Sequence, residues 1–249
     1  MFHVVIPARF SASRLPGKPL LTLGGRPLIH WVWQSAQASG AASVIIATDD
    51  DRIYQSARGF GADCVMTSPR HASGTDRIAE VVRAKGFAPE DIVVNLQGDE
   101  PLMPPSVVGA IAQALNARPQ IDIATAVTPI QSLPEFLDPN CVKALRAGDG
   151  RALYFSRAPV PWPRDNTLHG APNGIDGAWR HIGIYGYRVS SLLRFAAWPP
   201  TSLEQIERLE QLRALEHGMS IHLVELSEAP PVGVDTAEDL QRLRSIHGT

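Results

Sequence analysis

The sequence predicts a three-layer α/β fold: a Rossmann-like, mostly parallel sheet between helices, with an inserted β-hairpin lobe. Three observations predict it. Short runs rich in Val and Ile occur at 3–8 (HVVIPA), 43–48 (SVIIAT) and 91–96 (DIVVNL), as in strands covered on both faces. Segments of helical periodicity separate them. The alternation holds from the first residues to about residue 128, as successive βαβ units require.

The elements follow in order. A strand at 3–8 leads into a long loop at 9–25 that holds Gly, Pro and Ser. Leu28, Ile29, Val32 and Ala36 give a helix over 28–39. A strand at 43–48, a helix at 50–58 and a short strand at 63–67 come next. A helix at 76–85 stops at Gly86, which suits the left-handed end of a helix. The strand at 91–96 ends in Gln97-Gly98-Asp99-Glu100-Pro101. A helix at 106–116 and a strand at 121–127 close the first half. Beyond 128 the pattern changes. Runs at 142–147 and 152–156 flank Gly148-Asp149-Gly150 and read as a β-hairpin. The stretch 159–179 has no periodicity and reads as a mobile loop. A strand is expected at 181–189 and a single helix at 202–217. Ser202 and Gln205 form that helix's capping box, and Leu203, Ile206, Leu209, Leu212 and Leu215 its apolar stripe. A strand at 221–226 and a helix at 236–246 finish the chain. One domain over 1–249 results, with an inserted lobe at about 128–190.

Composition narrows the function. The chain has 249 residues, with 23 Lys and Arg against 25 Asp and Glu. A net charge of −2 argues against a nucleic-acid binder that works through bulk charge. The apolar runs are too short to cross a bilayer, and the N-terminus lacks the basic-then-apolar pattern of a signal peptide. Cys64 and Cys141 do not make a disulfide framework and read as inert core thiols. A cytoplasmic protein that binds neither membrane nor nucleic acid is expected.

The first βα loop carries the strongest local chemistry. Arg9, Arg14 and Lys18 fall within ten residues beside small side chains. In an open α/β sheet, ligands bind beyond the carboxyl ends of the strands. Backbone N–H groups and cations placed there can wrap a polyphosphate. The loop has no G-x-G-x-x-G, and Ala12 and Pro19 break the Walker A pattern. Asp99, just past a buried strand, suits Mg²⁺, which takes one or two carboxylates and fills its octahedron with water and phosphate oxygens. Asp235 is a second candidate, or else a cap for the last helix. Ser73-Gly74-Thr75-Asp76-Arg77 leads into a helix and offers hydroxyls and a cation to a ribose or base, although capping by Thr75 explains much of it. Arg157, Arg180, His181 and Tyr185 form a group in the second half, where Arg157 suits a carboxylate. Glu207, Glu210 and Gln211, by spacing alone, read as a solvated helix face.

These motifs together resemble the 3-deoxy-manno-octulosonate cytidylyltransferases, or CMP-KDO synthetases. The resemblance runs through VVIPAR at 4–9, SRLPGKPL at 13–20, HASGTDR at 71–77 and VNLQGDEP at 94–101. It continues in ALYFSRAPVPW at 152–162, RHIGIYGYR at 180–188, LEQIERLEQLR at 203–213 and GVDTAEDL at 233–240. The basic loop and QGDEP alone indicate only the wider sugar-acid cytidylyltransferases; RHIGIYGYR with LEQIERLEQLR narrows the match. The resemblance implies transfer of CMP from CTP to KDO for lipopolysaccharide synthesis. It assigns the triphosphate to Arg9, Arg14 and Lys18, and Mg²⁺ to Asp99 and Asp235. The rest of the nucleotide falls to Pro7, Ala8, Ser73, Gly74, Thr75, Arg77 and Gln97. The sugar side falls to Gln97, Arg157, His181, Tyr185, Glu210 and Gln211. It also implies a homodimer, with 128–190 as the expected interface. Related sugar acids differ by a few hydrogen bonds, and the residues do not rank them.

Overall fold

The computed structural model describes residues 1–11, 15–164, 167–168, 171–172, 175, 177–231, 233–234 and 236–247. The alternating half contains β1 (Phe2–Ala8), a 3₁₀ turn at Lys18–Leu20, the small ladder of β2 (Thr22–Leu23) and β3 (Arg26–Pro27), and α1 (Leu28–Gln37). It continues with β4 (Ser43–Thr48), α2 (Asp51–Gly59), β5 (Asp63–Met66), α3 (Gly74–Lys85), β6 (Ile92–Asn95), α4 (Pro105–Asn116) and β7 (Ile123–Pro129). The second half holds α5 (Leu133–Leu137), β8 (Lys143–Arg146), β9 (Ala152–Ser156), β10 (Thr167–Leu168), β11 (Ala171–Pro172) and β12 (Trp179–Arg188). It closes with α6 (Val189–Phe195), α7 (Ser202–Glu207), α8 (Gln211–Glu216), β13 (Ile221–Glu225) and α9 (Ala237–His247).

The sheet runs β13-β7-β12-β6-β1-β4-β5. Neighbours pair in parallel except β12, which lies antiparallel between β6 and β7. The period-2 alternation of β1 splits its side chains between two cores. Val4 and Ile6 pack with Ile29, Ile53 and Val108 from α1, α2 and α4. Val5 packs with Ile78, Leu192 and Leu212 from α3, α6 and α8. Both faces are covered, which is why the strands read as continuous apolar runs. The predicted αβα layering is what the chain adopts. Cys64 and Cys141 are buried free thiols, and burial raises the Cys64 thiol to about 11. Among the described residues, no helix is long and apolar enough to cross a membrane.

Several elements differ from the sequence expectation. Within 128–190, β8 and β9 form the expected hairpin and branch from the start of β12. The end of β12 is instead a central strand, with Tyr185–Arg188 paired to β6. Trp179 belongs to this strand, and Val189 opens a helix. The irregular stretch at 159–179 includes the β10–β11 ladder.

The single helix expected at 202–217 is two helices. Arg208 adopts a left-handed conformation, φ 55°, and stops α7. The capping box is Thr201 with Glu204, not Ser202 with Gln205. Arg213 of α8 then grips both oxygens of Glu204 at 2.8 and 2.6 Å. The fold-back leaves Ile206 77 % and Leu203 37 % exposed, while Leu209 and Leu212 reach the core. The face expected to be solvated is engaged. Glu207 accepts from Ser156 Oγ and Arg157 N, Glu210 from Thr75, and Gln211 is buried.

Candidate active site

Three loops meet at the carboxyl ends of β1 and β6. Pro7, Ala8, Arg9, Ser11, Lys18, Pro19, Gly74, Gln97, Gly98 and Asp99 line one cleft there. Local rules explain why the loops fit. Gly98 passes so close to β1 that a Cβ would lie 2.9 Å from the Pro7 carbonyl oxygen, so only glycine fits without a shift of backbone. Ser73 caps α3 in a reciprocal box with Asp76. That corrects the capping role expected for Thr75 and delivers Gly74 to the cleft.

The charges in the cleft are built in. Lys18 is buried, and its Nζ donates to Asp99 Oδ2 at 2.8 Å. Arg9 has a buried Nη2 with no hydrogen-bond partner among the described residues. A buried guanidinium nitrogen without an acceptor is rare in a finished protein interior and suits an anion that completes it. Gln97 donates through Nε2 to Asn95 Oδ1 at 3.1 Å; Asn95, which sequence reasoning passed over, therefore orients Gln97.

Arg14 and Asp235 lie outside the described residues. The segment that leads to position 235 is tied to the cleft: Val234 N donates to the Asp99 carbonyl oxygen at 2.9 Å. Val234 is itself buried with Leu23, Leu28, Leu240 and Leu243. The helix cap considered for Asp235 is supplied by Thr236, which exchanges hydrogen bonds with Asp239.

A second cavity adjoins the first across Ser73 and Gly74, lined among others by Ser73, Asp76, Trp198, Glu204, Glu210 and Arg213. Thr75 Oγ1 donates to Glu210 Oε2 at 2.7 Å, and burial raises the Glu210 carboxyl above its ordinary value. Tyr187, Tyr185 and His181 continue from there as a row of rings, with centroids 6.1 and 5.4 Å apart. Tyr185 stands opposite Asn95 across the β12–β6 pairing, which links the row to Gln97. Burial pushes both tyrosine hydroxyls up.

Two residues assigned by sequence to ligands make other bonds. Arg77 is fully buried; its guanidinium donates to Asp49 at 2.6 Å and to Thr67, and it does not line the cleft. Arg157 donates from Nε to the Glu207 carbonyl at 2.7 Å and from Nη1 to the Pro139 carbonyl at 2.9 Å. It ties β9 to the end of α7.

Burial pulls the His181 imidazole from 6.5 down to about 3, so the folded protein holds it neutral. The Thr125 hydroxyl gives its proton to the Ile182 or Ile184 carbonyl, and accepts from His181 Nε2–H at 2.9 Å. The unfolded chain takes up a proton near 6.5 and the folded one does not. Stability from this group is therefore present above about 6.5 and is lost as pH falls toward 3. His181→Gln, which keeps a donor but does not titrate, should flatten the acid-side loss. Thermal melts at about pH 7.5 and about pH 5 test it; identical losses for variant and parent would exclude this role.

The comparisons with known proteins agree with one another. A family model described as Cytidylyltransferase matches residues 3–221. The 3-deoxy-manno-octulosonate cytidylyltransferase of Cellvibrio japonicus is 52 % identical over 248 residues, covering 98 % of this chain and 97 % of its own. That of Pseudomonas fluorescens is 50 % identical with the same coverage. A solved structure of CMP:2-keto-3-deoxy-manno-octonic acid synthetase complexed with CTP superposes with a TM-score of 0.89. Its identity is 40 %, and the match covers 98 % of this chain and 97 % of that one. A cytidylyltransferase from Leptospira borgpetersenii, 17 % identical with a TM-score of 0.63, shares the fold. By its sequence from end to end and by its αβα architecture, this chain belongs to the 3-deoxy-manno-octulosonate cytidylyltransferase family.

Proposed function

We propose that the paired cavities transfer CMP from CTP to the anomeric hydroxyl of KDO, releasing pyrophosphate and supplying activated sugar acid for lipopolysaccharide synthesis. The observation that carries this reading is the cleft itself. It holds an uncompleted Arg9 guanidinium and the Lys18–Asp99 pair at the end of the parallel strands. The sugar hydroxyl attacks the α-phosphorus as the bond to the pyrophosphate oxygen breaks, so charge gathers on phosphate oxygens. Positioning and fixed cations carry most of such a reaction. Arg9, Lys18 and Arg14 hold the triphosphate. Gly74 and Ser73, with Pro7 and Ala8, border the nucleoside. Gln97, Glu210, Gln211, Tyr185 and His181 form the sugar side, with Gln97 between the two substrates.

Asp99 suits Mg²⁺: it is a hard-oxygen ligand in a cleft built for phosphate, and Lys18 donates to its Oδ2. Among the described residues no group of three or more His, Cys, Asp or Glu could hold a metal; an ion shared with a triphosphate does not need one. Asp99 and Asp235 would hold Mg²⁺, which when bound would offset phosphate charge and lower the pKa of the attacking hydroxyl. The protein is proposed to work in the cytoplasm as a homodimer through the 128–190 region, where Leu153 and Trp162 are exposed apolar side chains.

Pyrophosphate release from CTP with KDO and Mg²⁺ tests the reading. Turnover is expected with KDO, and its absence would refute the assignment. Lys18→Ala should raise KM for CTP roughly ten- to a hundredfold, the usual effect of losing one charged hydrogen bond. Unchanged CTP constants would remove Lys18 from the triphosphate site.

A further inference from the structure

The two cations of the cleft, Arg9 and Lys18, are the chain neighbours of Phe10 and Gly17, which are hydrogen-bonded to each other. Gly17 N donates to the Phe10 carbonyl at 2.8 Å. Gly17 is left-handed, φ 72°, and a Cβ there would sit 3.1 Å from the Phe10 ring edge. The positions of Arg9 and Lys18 relative to each other therefore depend on where Phe10 is held.

Phe10 is held from another element. The Arg52 guanidinium carbon stands 3.3 Å from the Phe10 ring centroid. Arg52 is itself fixed, because Asp50 accepts from its Nε at 3.0 Å and its Nη2 at 2.7 Å. Asp50 is fixed in turn as the N-cap of α2, accepting from Arg52 N. The whole chain of contacts runs from the start of α2 to the basic loop. A planar guanidinium with its Nε/Nη2 edge on one carboxylate presents its face, and a ring under that face gains a cation–π contact. Phe10 is partly buried and packs against the hydrophobic core as well, while Arg52 is largely exposed and adds the contact on the ring face.

We infer that Asp50, Arg52 and Phe10 form a clasp that sets the spacing of Arg9 and Lys18 for the triphosphate. All three are positioning residues and touch no substrate. This rests on the reading of Arg9 and Lys18 as triphosphate ligands.

The test is steady-state kinetics of pyrophosphate release with the full-length enzyme, together with thermal melts. Arg52→Ala and Phe10→Leu should each raise KM for CTP about two- to fivefold, the scale of an exposed cation–π contact. KM for KDO should stay at the parent value in both, and the melting temperature should do so in Arg52→Ala; Phe10→Leu also trims a ring packed on the core and should melt somewhat lower. Phe10→Tyr, which keeps the ring face, should restore KM for CTP. The double variant should be no worse than the poorer single one, because each change breaks the same contact. Unchanged KM for CTP in both single variants, or fully additive effects, would overturn the clasp. Lys18→Ala, run in parallel, separates the two levels. If it too leaves KM for CTP unchanged, the triphosphate reading fails; if it alone raises KM, only the clasp fails.

Discussion

Asp99→Ala is expected to cut the turnover of pyrophosphate release by at least about a hundredfold, the scale on which loss of one preorganised charge-stabilising group is felt in catalysis. Asp99 follows β6 directly, and its carboxylate pairs with Lys18 in the cleft. Its backbone is held independently, since its carbonyl oxygen accepts from Val234 N at 2.9 Å. Truncating the side chain therefore leaves the backbone tie in place and removes the carboxylate. Asp99→Asn, similar in shape, should fall nearly as far if charge is what matters. Lys18 is buried beside Asp99, so both variants should also lose some stability, and turnover is compared per folded enzyme. Parent-like turnover in Asp99→Ala would end both the Mg²⁺ proposal and the central role of this carboxylate.

Arg77→Ala is expected to act on the fold instead. The side chain is fully buried and its charge is answered by Asp49 at 2.6 Å, with Thr67 accepting from the same guanidinium. Removing one partner strands a buried or half-buried charge, which typically costs about 3–5 kcal/mol. Urea denaturation should show a loss of that order, while the folded fraction keeps the parent KM for CTP. Replacing Asp49 as well, in Asp49→Leu with Arg77→Met, should recover part of the loss, because an apolar pair leaves no unanswered charge. A stability loss below about 1 kcal/mol, with a raised KM for CTP, would return Arg77 to the nucleotide site that its motif suggested.

The contrast between these two charged residues shows what local sequence conveys. Asp99 and Arg77 both sit in motifs shared with the family, and both read as ligand contacts. Only one lines the cleft. The decision lies with Asp49, 28 residues before Arg77, and no spacing within a helix or loop reports such a neighbour. Glu210 makes the same point from the other side. By spacing it belongs on a wet helix face, yet Thr75, 135 residues away, donates to it and burial raises its carboxyl. The helix itself was misleading: its leucines keep a helical period over 203–215, but Arg208 turns left-handed, Arg213 reaches back to Glu204, and two short helices result.

The sequence by itself determined the layered fold and the basic and acidic loops at strand ends. Runs such as SVIIAT state their burial within six residues, and loop position follows from strand position. Tertiary structure decided that β12 enters the sheet antiparallel between β6 and β7, that Arg77 pairs with Asp49 and Arg157 with the Glu207 and Pro139 carbonyls, and that Glu210 and Gln211 are enclosed. The physical reason is range: periodicity and turn chemistry act over a few residues, whereas desolvation and ion pairing depend on whatever the fold brings alongside.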